Sequence, residues 1–507
     1  MTQRNAFLAL FLTIFIISLG LFQGKALWRV LNPELPTSYN LEALDLAPDL
    51  RAQAWGTCWI FAGYSSMESN LKKTGQWEKH ESGPVDLAEY HLDKYSGFTR
   101  KGDQSHLQEG WYSGQGEDYP GTNTDDLTSG LIVHLGGDYK AIAAFMGNTQ
   151  GAVQERLTPQ IPRGGDHKLF GDQFDEGILK EADYTYFVPR HIEWLSLFGT
   201  EDEKRDRVKR AIMEYGAVAS AQVMEDRPLG LANNGKEIHA TLKPIEPDVK
   251  LNHAITLIGW DDELRFKGHQ GAWIAQDSDH ENDKGEMLGR FYVLYDDAYA
   301  AKDEQMGAVI FRDVKKTDHD RIYSHALHGA QYVTSPKDNV EKLAVKFRSQ
   351  EEEKLEEVSF YTTQPNQSYT LTVVESLDES KILTRFQGRF SMPGLHFLDV
   401  DQEIYLKKGE AFYLILEFEK GGHAYDASFE MDVALHSGKL PTWGDPVDVN
   451  SKAQKDEGHY FYEGHWRDFS DFISKYNKQK DHPHAKHNAT ASPAIHAYTS
   501  IKTGPLD

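Results

Sequence analysis

Hydrophobic and polar positions change period several times along the 507-residue chain, and each change marks an element. The run from Trp59 to Gly75 carries apolar residues at Trp59, Phe61, Ala62, Met67 and Leu71. Lys72 and Lys73 fall in its last turn and Gly75 where a C-terminal cap belongs, so the run predicts a helix. Residues 85–95, with Leu87 and Tyr90 on one side, predict a second helix, and Ala141 to Met146 a third after the Gly136-Gly137 turn. Glu203 to Tyr215 reads as a charged amphipathic helix. Four apolar stretches predict strands: Gly216 to Val223, Leu251 to Asp261, Gly271 to Ser278 and Gly285 to Tyr295. Thr99 to Asp126, rich in Gly, Ser, Asp and Asn, predicts a loop.

Between Val309 and Asp320 the pattern shifts to short alternating runs separated by turn residues. Leu343 to Phe347, Glu356 to Tyr361, Tyr369 to Val374, Ser391 to Leu398, Phe412 to Phe418 and Ala427 to Ala434 have the spacing of an all-β sandwich. Val345, Phe347, Val358, Phe360 and Leu414 should face its core, and His459 to Phe469 and Ala494 to Ser500 should belong to the same unit. A polar insertion spans 475–489, and its Asp481-His482-Pro483-His484-Ala485-Lys486-His487 stretch raises the question of a metal site. Neither helix nor strand presents those rings together, so it reads as a solvated loop. The expectation is an α+β chain, with a mixed domain over 34–312 followed by a sandwich over 320–503.

Composition narrows the surroundings. The charge is -24, from 54 Lys+Arg against 78 Asp+Glu, which argues against nucleic acid or an anionic membrane surface as partner. Residues 1–26 have the form of an export signal: Arg4, an apolar run from Ala6 to Phe22, then Gly24-Lys25-Ala26. The alternative is an uncleaved N-terminal membrane anchor, since that run approaches spanning length.

Candidate chemistry centres on Cys58, the single cysteine of the chain. In an exported protein it has no intramolecular disulfide partner, and an unused thiol is a liability there. At a helix N-terminus the backbone dipole favours its thiolate. Gln53 lies five residues upstream, and a Gln amide with the Cys58 N–H can together address one oxyanion. The bland alternative is a buried, inert cysteine in an amphipathic helix. Far downstream, His253 opens the predicted strand at 251–261, in the order expected of a nucleophile followed by its base.

The segment Gln53-Ala54-Trp55-Gly56-Thr57-Cys58-Trp59-Ile60-Phe61-Ala62 resembles the active-site segment of papain-like cysteine peptidases, Gln-x-x-x-Gly-x-Cys-Trp-x-Phe-Ala. Gln53 stands one residue closer to the Cys than in that pattern. Asn252-His253-Ala254 through Gly259-Trp260-Asp261 resembles the family's Asn-His-Ala-Val-x-x-Val-Gly-Tyr-Asp. Trp273 to Asp279 is similar to Trp-x-x-Lys-Asn-Ser-Trp, with Asp277 where the family has Asn and Asp279 where it has Trp. Gly136-Gly137 resembles the Gly pair that lines the family's substrate cleft. The second half resembles the lectin-like domain that follows the peptidase in some bacterial papain-like proteins.

The resemblance implies a two-lobed, exported endopeptidase acting on protein or peptide, secreted, periplasmic or at the cell surface. Cys58 would be the nucleophile, His253 the base, Asp277 the group orienting His253, and Gln53 the oxyanion donor. Gly136, Gly137 and Trp59 would form the substrate wall, and no metal or organic cofactor is needed. The sandwich would be the part that meets a cell-surface or carbohydrate ligand. The rival is a non-catalytic surface or adhesion protein that keeps the papain fold as scaffold and binds through the sandwich.

Overall fold

The structure is a computed structural model that describes residues 34–53, 56–96, 102–104, 112–114, 136–157, 184–224, 228–242, 251–279, 289–431, 434–436, 441–443, 447–449, 451, 453–477 and 490–502. The signal-like segment 1–26, most of the 99–126 stretch and the histidine-bearing stretch 481–487 lie outside the described residues. Among those described, no helix is long and apolar enough to cross a membrane.

The first half is built on helix α1 (Cys58–Thr74). Every residue from Trp59 to Leu71 is buried, so its small and apolar faces pack on all sides rather than along one stripe. Its few polar side chains stitch it to the chain around it. Ser66 donates to the Ala217 carbonyl (2.6 Å) and Ser69 to that of Leu46 (2.7 Å). Asn70 donates to the Tyr215 carbonyl and accepts from the Val314 N–H (2.8 and 2.9 Å). Gly75, at φ 62°, closes the helix in the left-handed conformation a glycine adopts at low cost.

The second helix is shorter than its pattern predicts. It runs Glu89–Tyr95 (α2), because Leu87 is drawn into a β-bridge with Gln154 and gives its N–H to Glu68 (2.8 Å). Helix α3 spans Tyr139–Asn148 behind an Asp138 cap, and α4 spans Glu201–Tyr215 behind a Thr200–Glu203 capping box.

Strands β1 (Ser38–Asn40), β2 (Tyr186–Trp194), β3 (Val218–Gln222), β4 (His253–Phe266), β5 (His269–Gln276), β6 (Arg290–Leu294) and β7 (Val309–Thr317) form the main sheet of this half. They run in the order β2-β7-β3-β4-β5-β6, with β1 against β4. Beneath α4, Ile255, Leu257, Trp260, Trp273, Phe291 and Val293 form one core.

The second half is a two-sheet sandwich. Its strands are β8 (Lys342–Arg348), β9 (Glu353–Thr362), β10 (Gln367–Val374), β11 (Ile382–Phe390), β12 (Gly394–Asp399), β13 (Ala411–Phe418), β14 (Gly458–Tyr462) and β15 (His465–Asp468). Helix α5 (Phe469–Asn477) and strand β16 (Ile495–Ile501) follow. One sheet runs β11-β10-β13-β8-β14-β15. Val345, Phe347, Val358, Phe360 and Leu414 are all buried between the layers, as their alternation predicts.

Three local expectations need correction. Ser391 to Pro393 form a turn, and the strand starts at Gly394. The run at 427–434 is not one strand: Ala424–Ala427 and Phe429–Met431 pair with different partners. Strand β11 and helix α5 went unread, since β11 is a mostly exposed edge without clean alternation.

The two halves are joined by more than chain continuity. The second sandwich sheet, through β16, β9 and β12, continues into β2 and onward to β6, so 14 strands share one hydrogen-bonded sheet. At the join Gly394 pairs with Glu193, Leu395 with Ile192 and His396 with His191. A Cβ at Gly394 would stand 1.9 Å from the Ile192 carbonyl oxygen, so the close approach requires glycine. Tyr361, Leu395, Phe397 and Tyr498 from the sandwich share a core with Ile142, Phe145 and Ile192.

Candidate active site

Cys58 is the first residue of α1, half-buried, where the leading N–H groups of a helix have no partner within it. Strand β4 begins directly opposite. Asn252 fixes that start by accepting from the Met224 N–H (2.8 Å) and donating to the Met224 carbonyl (3.2 Å). The next residue, His253, turns its ring between two partners. Its Nε2 bonds Asp277 Oδ1 at 2.5 Å, and Cys58 lies close enough to the ring to raise its proton affinity. The Ala254 N–H also points at Sγ, at 3.4 Å.

Burial disfavours the imidazolium, but the Asp277 carboxylate and then Cys58 outweigh it and hold the His253 pKa well above its ordinary value. Asp277 is only 4% exposed, although the family's Trp is absent at 279. The Asp279 N–H donates to the same Oδ1 (2.9 Å), and the Asp277 N–H is taken by the Gly289 carbonyl (2.9 Å). That carboxylate oxygen is therefore held by both the ring and a backbone N–H.

Gln53 reaches the site despite its shifted position. Its N–H donates to the Ser278 carbonyl and its Oε1 accepts from the Ser278 hydroxyl, both at 2.7 Å. The Ser278 hydroxyl thus fixes the orientation of the Gln53 amide through Oε1. The loop carrying Gln53 is thus fastened to the residue after Asp277. Ser278 carries no signal of this in the sequence, because its partner is 225 positions away.

Gly136 and Gly137 lie beside Cys58. The Gly136 N–H donates to the Gly56 carbonyl (2.9 Å), and a Cβ at Gly137 would fall 2.4 Å from the indole of Trp59. Trp59 is thus the buried floor against which the glycine backbone lies. Tyr139 donates to the Ser220 carbonyl (2.6 Å), and burial, then Cys58 and Asp138, keep its hydroxyl protonated.

One buried cluster behind the site was not read from the sequence. Arg51 pairs with Glu68 (2.6 Å), with Glu89 (2.7 Å) and with Asp86. Burial pushes Glu68 up to about 7 against the pull of Arg51, and raises Glu89 well above the carboxylate range. The cluster ties the segment before Gln53 to α1 and α2. A polar Glu68 in the middle of an apolar helix was its only trace in the sequence.

Residues 322–479 match the Lectin-like domain family. No curated protein sequence matches the chain. Among solved structures, the cysteine protease and lectin-like domains of Cwp84, a surface layer associated protein of Clostridium difficile, overlap 93% of this chain and 90% of their own, with TM-score 0.60 and 18% identity. Digestive procathepsin L 3 of Tenebrio molitor larval midgut overlaps 57% of this chain and 71% of its own, with TM-score 0.32 and 15% identity. The architecture is that of a papain-like cysteine protease followed by a lectin-like domain. At 18% identity the likeness speaks for the fold alone.

Proposed function

We propose that the chain is an exported cysteine endopeptidase, and the observation that carries this is the meeting of Cys58 with the His253–Asp277 pair at the start of α1. The thiol gives its proton to His253 Nδ1, and Asp277 stabilises the imidazolium that forms. Sγ attacks the peptide carbonyl carbon. The oxyanion is held by the Gln53 amide and the Cys58 N–H. His253 returns the proton to the leaving amine. It then takes one from water, whose oxygen attacks the thioester and frees Cys58. The backbone of Gly136 and Gly137 pairs with the extended substrate over the Trp59 floor. None of these steps calls for a metal or organic cofactor.

Export rests on the signal-like segment and suits a substrate or ligand at a cell surface. The lectin-like domain is the natural holder of a cell-surface or carbohydrate ligand. The rival, a silent papain scaffold, draws on Asp277 and Asp279 replacing Asn and Trp. The burial of Asp277 weighs against it, since the His253 partner is sheltered without the Trp.

The test is labelling with a thiol-reactive epoxide probe alongside hydrolysis of a fluorogenic peptide library. Cys58 should label, His253→Ala should label at least about 100-fold more slowly, and Cys58→Ala should neither label nor hydrolyse. Labelling no faster than a free small thiol, with no hydrolysis of any peptide, would sink the reading.

A further inference from the structure

The join between the two halves carries a group of ligand atoms that the catalytic site does not use. His191 and Glu193 lie on β2, and His396 faces them from β12 as the cross-strand partner of His191. One ligand atom from each residue lies within 4.8 Å of the others. The two imidazoles meet through Nδ1 at 3.0 Å. Two nitrogens bound to one tetrahedral Zn²⁺ at about 2.0–2.1 Å stand about 3.3 Å apart. The pair is therefore already near the spacing of two ligands.

The hydrogen bonds decide which lone pair is available. The Thr362 hydroxyl, when it donates to the Met392 carbonyl (3.2 Å), accepts from His396 Nε2 at 2.9 Å. In that Nε2–H tautomer the His396 Nδ1 lone pair faces His191 and accepts its Nδ1–H, the proton a metal ion would replace. Phe390 stacks on the same ring at 3.7 Å and fixes its plane. A ring oriented through its far nitrogen is how a histidine ligand is commonly held. Burial keeps both rings neutral, aided at His396 by His191 and Arg312, and at His191 by Arg312, Arg190 and Lys315.

Glu193 is gripped by Arg312 through both oxygens (2.8 and 2.9 Å), yet each oxygen keeps a second lone pair. The two arginines here are matched by carboxylates. Arg312 is paired with Glu193 and Asp313, and Arg190 with Glu357 and Asp399. His396 is fully buried while His191 is only partly so, which leaves a solvent side for entry and for a water as fourth ligand.

We propose that His191, Glu193 and His396 form a site for a borderline divalent cation, Zn²⁺ by its donor set, which fastens the peptidase sheet to the sandwich. Two imidazoles and a carboxylate suit Zn²⁺ or Co²⁺ better than Ca²⁺ or Mg²⁺, which prefer oxygen alone. The role is structural, since the peptide chemistry is assigned to Cys58 and His253.

The experiment uses the full chain with Cys58→Ser, to remove the thiol, and with His482, His484 and His487 replaced by Ala, to remove the other histidine-rich stretch. After chelator treatment, Zn²⁺ binding is measured by calorimetry and metal analysis, and Co²⁺ binding by its visible spectrum. One equivalent should bind with a rise in Tm, and Co²⁺ should give the intense bands of a four-coordinate site. His191→Ala, on the partly exposed side, should abolish both signals while the far-UV circular dichroism stays unchanged. Thr362→Val, which frees the His396 tautomer, should weaken binding by about 10- to 100-fold. If Zn²⁺ and Co²⁺ do not bind stoichiometrically, or if His191→Ala binds as the parent does, the pair is a simple imidazole–imidazole hydrogen bond and the proposal is overturned. Because no readout is catalytic, failure here leaves the peptidase reading untouched.

Discussion

Replacing Asp277 by Asn changes one charge and little else, and its effect can be worked out in advance. In the structure the carboxylate is 2.5 Å from His253 Nε2, and both groups are buried. At an effective dielectric of about 20, unit charges about 4 Å apart attract by about 4 kcal/mol. Burial of the imidazolium opposes that gain, so it is an upper bound. Against the roughly 1.4 kcal/mol that corresponds to a tenfold change in proton affinity, even a third of it is measurable.

The His253 pKa is raised in the folded protein, so removing the charge lets the ring lose its proton at lower pH. The active thiolate–imidazolium pair ends where the imidazolium deprotonates. The alkaline arm of the kcat/KM profile should therefore move down by at least about one pH unit in Asp277→Asn, while the enzyme stays active through the remaining hydrogen bond. Asp277→Ala loses that bond as well, and turnover should fall by about 100-fold as the ring drifts.

Linkage supplies a second readout in the inactive Cys58→Ser background. The stability contributed by His253 is fully present below its unfolded pKa of about 6.5. It is lost as pH rises through the higher folded value, and Asp277→Asn should flatten that decline. The assay is the pH dependence of kcat/KM on one fluorogenic peptide, with Tm against pH beside it. An unmoved alkaline arm in Asp277→Asn, together with full turnover in Asp277→Ala, would refute the assignment of Asp277.

Gln53→Ala should lower kcat by about 100- to 1,000-fold with little change in KM, because the amide acts on the oxyanion and not on bound substrate; an equal loss in KM would move Gln53 to substrate binding. Arg51→Ala leaves Glu68, Glu89 and Asp86 without their shared cation and should cost about 3–5 kcal/mol in urea unfolding at pH 8. The loss should shrink toward pH 5, where the carboxylates, already raised, take up protons; a pH-independent loss would mean that Arg51 acts by packing alone. Residues 320–507 expressed alone should keep the core around Val345, Phe360 and Leu414 yet expose the β12 edge and Phe397, and so self-associate. Light scattering should find oligomers, and a stable monomer would show that the join contributes nothing to solubility.

Much of this arrangement is legible in the sequence, for a physical reason. Periodicity and capping are local, so α1 with its Gly75 stop, α4 with its Thr200–Glu203 box and the strand headed by His253 can be read from neighbouring residues. Cys58, Gln53, Gly136 and His253 each sit in a short segment with its own signature. Where local preference competes with distant partners, the reading slips. Helix α2 loses its first turn to a bridge with Gln154, and the edge strand β11 shows no alternation.

The relations between segments belong to the tertiary structure alone. Ser278 finds Gln53 across 225 positions, Arg51 gathers three carboxylates, and β12 zips onto β2 so that the papain-like half and the sandwich share one sheet. His191 and His396, 205 residues apart, become neighbours only through that zipper. Backbone pairing is blind to side-chain identity, so no residue pattern announces which strand an exposed edge will meet. That choice is made when Leu395 and Phe397 bury against Ile192 and Phe145, a gain that exists only once both surfaces have formed.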